Sequence, residues 1–187
     1  GTVTVSNNIN ITGTAAEITT AVGDVNTFSG TPTATLSNAH TISQLATINT
    51  AISGQLTLND YTVALSGSSA DVAAALDGTF AAPYTGTATV NNAHTLDQLK
   101  TINNGTTNTI TLNDVTVALV GSAADIKAAL AGTFAAAYTG NVTINDANGT
   151  GIAATDISTI AGDTTGTVTV SNNINITGTA AEITTAV

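Results

Sequence analysis

The first 22 residues of the chain recur without a mismatch as its last 22. Residues 1–22 read GTVTVSNNINITGTAAEITTAV, and residues 166–187 read the same, 165 positions later. A fixed long period is typical of architectures in which each repeat buries its apolar face only against its neighbours. We therefore expect residues 1–165 to be one full superrepeat, carried many times by a longer parent protein, and residues 166–187 to begin the next.

Shorter periods divide the superrepeat. His40 in SNAHTISQLATIN matches His94 in NNAHTLDQLKTIN, 54 residues later. A signature in which Thr alternates with aliphatic residues, as in a half-buried strand, recurs about every 27 residues. It reads TVTVSN at 2–7, TATLSN at 33–38, LTLND at 56–60, TATVNN at 87–92, TITLND at 109–114 and NVTIND at 141–146. This predicts six coils with approximate boundaries 1–29, 30–53, 54–85, 86–108, 109–139 and 140–165.

Each coil also contains signals for a corner and a helix. A polar Ser, Asn or Asp pair follows each strand signature and predicts a turn. Longer coils add a second strand, predicted at 8–11, 62–65 and 116–119. Capping-box spacing then predicts helix starts at Thr14, Thr41, Ser68, Thr95 and Ser122, while 155–156 in the sixth coil fits poorly. Glycines predict left-handed helix ends at Gly23, Gly54, Gly78, Gly105, Gly132 and Gly162.

The predicted fold is an α/β solenoid that forms one continuous segment over residues 1–187. Strand-turn-(strand)-helix coils of about 27 residues stack their strands into a parallel β-sheet and their short helices on the other side. Six strand spacings advance the axis by roughly 29 Å per block. The crossover rule favours a right-handed coil.

Composition excludes several functional classes. The chain has a formal charge of -10, and its only cationic side chains besides His are Lys100 and Lys127. Nucleic-acid binding needs cations that displace counterions from phosphates, so we do not expect a nucleic-acid partner. No apolar run reaches the length of a membrane span, so we expect no membrane insertion. The absence of Cys excludes disulfides and thiolate metal sites.

Eight of the twelve acidic residues fall into two groups. Glu17, Asp71, Asp97, Asp125 and Asp156 lie in first helical turns, where carboxylates meet free amides and the positive end of the dipole. Asp60, Asp114 and Asp146 lie at corners, where stacked carboxylates could bind calcium through oxygen ligands. The alternative is that the three residues only form turns, and this alternative is favoured. No other metal or cofactor is expected.

We predict no catalytic or cofactor-binding residues and therefore no enzymatic activity. A catalytic site needs unlike groups that converge at one place, whereas the reactive side chains here follow the repeat. His40 and His94 occupy one position in two copies, which favours a structural role. Phe28, Phe80, Phe134, Tyr84 and Tyr138 also recur after the helices and predict packing between coils, with a sugar-binding aromatic track as the weaker alternative.

The outward threonines suggest a surface-binding alternative. A Thr-x-Thr motif on a flat parallel sheet is similar to the ice-binding face of some antifreeze solenoids. The simpler interpretation is that Thr is a natural solvent-side residue of a strand. The possible rank comprises Thr2, Thr4, Thr33, Thr35, Thr57, Thr87, Thr89, Thr109, Thr111, Thr167 and Thr169.

The phrases TVTVSNNINITGTAAEITTAV and AHTLDQLKTINNGTTNTITL resemble repeats of very large bacterial surface proteins. These include type I secreted adhesins and a giant cell-surface protein of swimming cyanobacteria. The resemblance covers the whole chain and rests on its composition, which is rich in Thr, Ala and Asn. It implies a secreted, elongated and often calcium-associated protein.

The leading hypothesis is therefore mechanical. We expect a structural rod, spacer or filament at the cell surface or outside the cell. Its expected partners are further copies of the same repeat, in cis or end to end, because an open solenoid end exposes strand edges and core. Lateral self-association is left open, and an ice- or carbohydrate-binding solenoid is the alternative function.

Overall fold

The computed structural model describes residues 1–186, which form seven short helices and fourteen short strands. The helices are α1 Ala15–Asp24, α2 Ile42–Ala51, α3 Ser69–Leu76, α4 Leu96–Gly105, α5 Ala123–Leu130, α6 Ala154–Asp163 and α7 Ala180–Ala186. The first seven strands are β1 Thr4–Val5, β2 Asn10–Gly13, β3 Thr27–Phe28, β4 Thr33–Leu36, β5 Gln55–Thr57, β6 Leu65–Gly67 and β7 Thr79–Phe80. The others are β8 Ala88–Val90, β9 Ile110–Leu112, β10 Leu119–Gly121, β11 Val142–Ile144, β12 Gly151–Ala153, β13 Val168–Val170 and β14 Asn175–Thr177.

The described strands pair in parallel and form five short sheets. Their orders are β1-β3, β2-β4-β5-β7, β6-β8-β9, β10-β11-β13 and β12-β14. The structure thus confirms an α/β fold with parallel strands, but it has several short sheets where the sequence predicted one.

The second strand of the longer coils explains this difference. β5 pairs with β4 on one edge and with β7 on the other. The chain then turns at Asp60, whose Oδ1 accepts hydrogen bonds of 2.7 Å from both the backbone N–H and the hydroxyl of Thr62. It resumes as β6, which begins at Leu65 and not at 62, and β6 opens the next sheet by pairing with β8.

We define a layer as the stretch that ends with one helix, which gives 1–24, 25–51, 52–76, 77–105, 106–130, 131–163 and 164–186. The strand pairings join consecutive layers, as do the bridges from Ile110 to Phe134 and from Tyr138 to Thr164. The helices also pack in chain order, α1 on α2 through α6 on α7.

The predicted helix starts are confirmed. Thr14, Thr41 and Thr95 form full capping boxes with the Glu or Gln three residues later. The hydroxyls of Ser68 and Ser122 accept from the backbone N–H of the third residue, an Asp in each case. The poorly fitting sixth site has Ala at its N-cap and no side-chain cap.

The prediction of left-handed glycines at the helix ends is wrong. Among the described residues only Gly149 and Gly178 have positive φ, and neither ends a helix. Most of the predicted glycines are needed for close packing instead. A Cβ on Gly105 would lie 2.5 Å from the Leu76 Cβ, and one on Gly54 would lie 2.4 Å from the Pro32 carbonyl oxygen. Chain from the preceding layer occupies the space that a side chain would need.

The core lies between the strands and the helices and continues through the layers. Two apolar clusters meet at Leu112 and Phe134, which pack against both. The alternation in the strand signatures predicts that their aliphatic residues face inward, and most of these are buried: Leu36, Leu56, Leu58, Val90, Ile110, Val142 and Ile144. Val5 and Leu112 are half-buried, and Val3 is 47% exposed, because no described layer precedes it.

Candidate functional site

The most specific side-chain cluster joins three consecutive layers. His40 of the second layer places its Nε2 3.1 Å from the hydroxyl of Tyr84 in the fourth layer. That hydroxyl donates to the backbone carbonyl of Val63 in the third layer at 2.7 Å. Since the Tyr84 proton is committed to Val63, His40 must donate from Nε2, which assigns its neutral tautomer. We call these three residues the first clamp.

A second clamp repeats this geometry two layers further on. The His94 Nε2 lies 3.1 Å from the Tyr138 hydroxyl, which donates to the Val117 carbonyl at 2.6 Å. All four ring side chains are buried, with exposures of 5%, 4%, 2% and 1% for His40, His94, Tyr84 and Tyr138. The two clamps together tie the second layer through to the sixth.

Burial in each clamp favours the neutral form of the imidazole. Burial lowers the pKa of His40 and of His94, while the nearby carboxylates of Asp60 and Asp114 oppose this shift. The Nδ1 atoms of both histidines are buried without a hydrogen-bond partner among the described residues. Burial also raises the pKa of Tyr84 and of Tyr138, so both hydroxyls keep their protons. Each clamp therefore joins three layers through hydrogen bonds between buried, uncharged groups.

A glycine makes room for each clamp. A Cβ on Gly86 would lie 2.0 Å from the Val63 carbonyl oxygen and 2.8 Å from the Tyr84 ring. Gly140 has the same relationship to Val117 and Tyr138, at 2.0 and 2.8 Å. The Thr106 hydroxyl of the following layer donates to the Gly86 carbonyl at 2.7 Å. These glycines are therefore required by close approach, since neither has positive φ.

In a second set of contacts, a polar side chain of the following layer caps the N-terminus of a helix. The Asn38 Oδ1 accepts a 2.8 Å hydrogen bond from the Ala15 backbone N–H at the start of α1. Asn92 caps α3 through Ser69 at 2.7 Å, and the Asp146 Oδ2 caps α5 through Ala123 at 2.7 Å. Sequence reasoning missed these caps, although the recurring polar pair after each strand is the signal that marks them. They satisfy N-terminal amides that the helix itself leaves free.

The three calcium candidates have separate structural roles. Asp60 and Asp114 form turns with Thr62 and Thr116, and these hydrogen bonds lower the pKa of each carboxyl. Asp146 is the cap on α5 described above. Within residues 1–186, no three His, Asp or Glu side chains converge as a metal site would require.

The candidate threonine rank is distributed over several sheets. None of its eleven residues is buried, which agrees with the outward orientation. Thr35 lies opposite Thr57 in one sheet and Thr89 opposite Thr111 in another. Thr4 pairs with Thr27, and Thr169 with Thr143, in two further sheets. The remaining members are Thr33 at the start of β4, and Thr2, Thr87, Thr109 and Thr167 just before strands.

Some of these hydroxyls are already engaged. Thr33 and Thr35 both donate to the Asn10 Oδ1, at 3.2 and 3.3 Å. The structure thus offers short rows of threonine on separate sheets and no single long rank over the described residues.

Both lysines bridge neighbouring helices. The Lys100 Nζ on α4 lies 2.7 Å from the Asp125 carboxylate on α5 and 3.6 Å from Asp97. Lys127 on α5 pairs with Asp156 on α6. Neither cation is therefore arranged to hold an anionic ligand.

An open cleft of about 520 Å³ lies beside the C-terminal ends of α3 and α4. Its walls include Phe80, Pro83 and Asn104. The ionisable groups that line it are Asp77 and Tyr84, and the Tyr84 hydroxyl is already bonded within the first clamp. The cleft therefore contains no pair of groups suited to acid-base or nucleophilic chemistry.

No protein-family model, curated protein or solved structure matches this chain. No helix in the described part of the chain is long and apolar enough to cross a membrane.

Proposed function

We propose that the chain is a non-catalytic structural segment of an elongated protein at the cell surface or outside the cell. Its layers stack as an α/β solenoid, and repeated 165-residue blocks extend that solenoid into a rod, spacer or filament. Further copies of the block are its principal partners. The proposed location rests on the resemblance of its repeats to those of giant bacterial surface proteins.

One observation carries this proposal: the strand pairings and principal helix contacts of the described chain join consecutive layers. A protein whose contacts stay between layers close in chain order grows in one direction as layers are added. The clamps and cross-layer caps support the same role, because each consists of hydrogen bonds between layers that differ by one or two positions.

Imaging tests the proposal. Proteins with one, two and four blocks would be compared by electron microscopy. The expected images are rods of constant width that lengthen by about 29 Å per block, from six strand spacings. Closed particles that grow in all directions would contradict the proposal. Thermal hysteresis measured on the same samples would instead favour the ice-binding alternative.

A further inference from the structure

One 22-residue sequence occurs at two positions, and the structure shows it with a different face covered at each. Residues 1–22 are covered by the layer that follows them, and residues 166–186 by the layer that precedes them. The two positions together show what contacts both faces of the same layer.

The strand pairings supply the register of the missing contact. Val5 in β1 lies opposite Phe28 in β3, and its copy Val170 in β13 lies opposite Ile144 in β11, on the other edge. Likewise β2 pairs with the later strand β4, whereas its copy β14 pairs with the earlier strand β12. A strand has two hydrogen-bonding edges, so the pairings are compatible in one array.

Burial shows which face is affected. Ala15 has 0% and Ile18 has 1% exposure, and their helix α1 packs against α2 of the following layer. Their copies are less buried: Ala180 is exposed and Ile183 is half-buried. At the first position the backbone N–H of Ser37 also donates to the Gly13 carbonyl at 2.9 Å, and the backbone N–H of Thr33 donates to the Ile9 carbonyl at 2.8 Å. The copies of these acceptors are the carbonyls of Gly178 and Ile174.

We propose that the uncovered face of the last layer is a docking surface for a further copy of residues 23–51. The docked copy pairs its β3 with β13 and its β4 with β14, and its Asn38 caps the helix that begins at Ala180. The β10-β11-β13 sheet then continues into β3, and β12-β14 continues into β4, β5 and β7. This inference rests on the proposed stacking and names the segment that continues it.

The occupant follows from sequence identity. An intact second chain would bring its own residues 1–22 to this face, and no described contact places two copies of that layer against each other. Residues 23–51 are the segment that covers the same surface elsewhere in the molecule. The segment must therefore arrive in continuation of the chain, after a copy of residues 1–22.

The test extends the full chain beyond Val187 with a copy of residues 23–53. Amide hydrogen exchange is followed by NMR at the appended copies of Thr33 and Ser37 and at Ala180. We expect the appended amides to exchange at rates close to those of the native Thr33 and Ser37. Ala180 should exchange at least about tenfold more slowly than in the unextended chain, because native contacts close amides against solvent.

Two matched controls make the result specific. With an extension of the same composition in scrambled order, the amides of the extension and of Ala180 should all stay unprotected. An extension in which the copy of Asn38 is alanine should protect the Thr33 and Ser37 copies while Ala180 again exchanges quickly.

Two outcomes would overturn the proposal. The first is that the extension with the native sequence exchanges its amides as fast as an unfolded chain. The second is protection of Ala180 in the unextended protein that grows with concentration, which would assign the face to a second whole chain. Since imaging of multi-block proteins tests overall shape and exchange tests one interface, failure of this docking is distinguishable from failure of the rod.

Discussion

The Nε2 of His40 lies 3.1 Å from the hydroxyl of Tyr84, although 44 residues separate them in the chain. His94 and Tyr138 repeat both the distance and the separation. Each tyrosine reaches past an intervening layer and bonds to its backbone at Val63 or Val117. The clamps therefore offer the clearest experimental access to what holds the layers together.

Replacing the clamp hydroxyl should destabilise the protein. Tyr84→Phe leaves the His40 Nε2–H and the Val63 carbonyl without their partner in a buried site, at an expected cost of about 1–3 kcal/mol. Tyr138→Phe should cost a similar amount, and both are measured by urea unfolding. Tyr61→Phe, which removes a half-buried hydroxyl that accepts from the Leu58 N–H, is the control and should cost less. Equal effects for all three variants would contradict a special role for the clamps.

The clamps should make stability depend on pH. The folded-state pKa of His40 and of His94 lies below the ordinary value of 6.5, so the unfolded chain binds protons first as pH falls. The free energy of unfolding should be constant above about pH 7.5 and should decrease as pH falls through 6.5 towards the folded-state values. Urea unfolding across this range measures the change.

The matched variant for this effect is His40→Gln with His94→Gln. Glutamine can donate to the tyrosine hydroxyl but does not titrate, so its stability curve should be flat through the histidine range. Both proteins should lose stability at lower pH, because hydrogen bonds lower the pKa of Glu17, Asp60 and Asp114 in the folded state. A wild-type curve that is flat down to the carboxylate range would refute the histidine effect.

Glycine substitutions should separate close approach from helix propensity. In Gly86→Ala the new Cβ would lie 2.0 Å from the Val63 carbonyl oxygen, so backbone must shift, at a cost of about 1–3 kcal/mol. Gly162→Ala places its Cβ in open space near the end of α6 and should stabilise by up to about 1 kcal/mol. Thermal unfolding of the two single variants checks the opposite signs.

The cross-layer caps should contribute independently of the clamps. Asn38→Ala removes the acceptor for the Ala15 N–H at the start of α1 and should cost about 1 kcal/mol. Asn92→Ala should lower stability by a similar amount through α3. Ser37→Ala, which changes the exposed residue next to Asn38, is the control and should have little effect. Combining Asn38→Ala with Tyr138→Phe should give additive losses, and strong coupling between these distant sites would count against separate roles.

Calcium should have little effect if Asp60 and Asp114 act through turns. Asp60→Asn keeps an oxygen that accepts from Thr62 and should retain more stability than Asp60→Ala. Wild-type melting temperatures measured with calcium and with chelator should agree. A rise with calcium that both Asp60 variants abolish would restore the calcium hypothesis.

Local structure was predictable where it depends on neighbours in the chain. The capping boxes at Thr14, Thr41 and Thr95 are signals within four residues, and the structure contains all three. The alternation of Thr with aliphatic residues correctly placed Leu56, Val90 and Val142 in the core. The repeats also indicated that His40 and His94 share one role, and the structure places them in equivalent clamps.

Tertiary structure alone decided the contacts between layers. No pattern near His40 identifies Tyr84 as its partner, because that contact depends on how distant segments of the chain pack. The glycines at the helix ends illustrate the same limit: sequence predicted left-handed backbone, whereas Gly54 and Gly105 are needed because another layer occupies their side-chain space. Periodicity and capping arise from local backbone geometry, but the division into short sheets arises from the path of residues 58–64 between β5 and β6, which only packing in three dimensions determines.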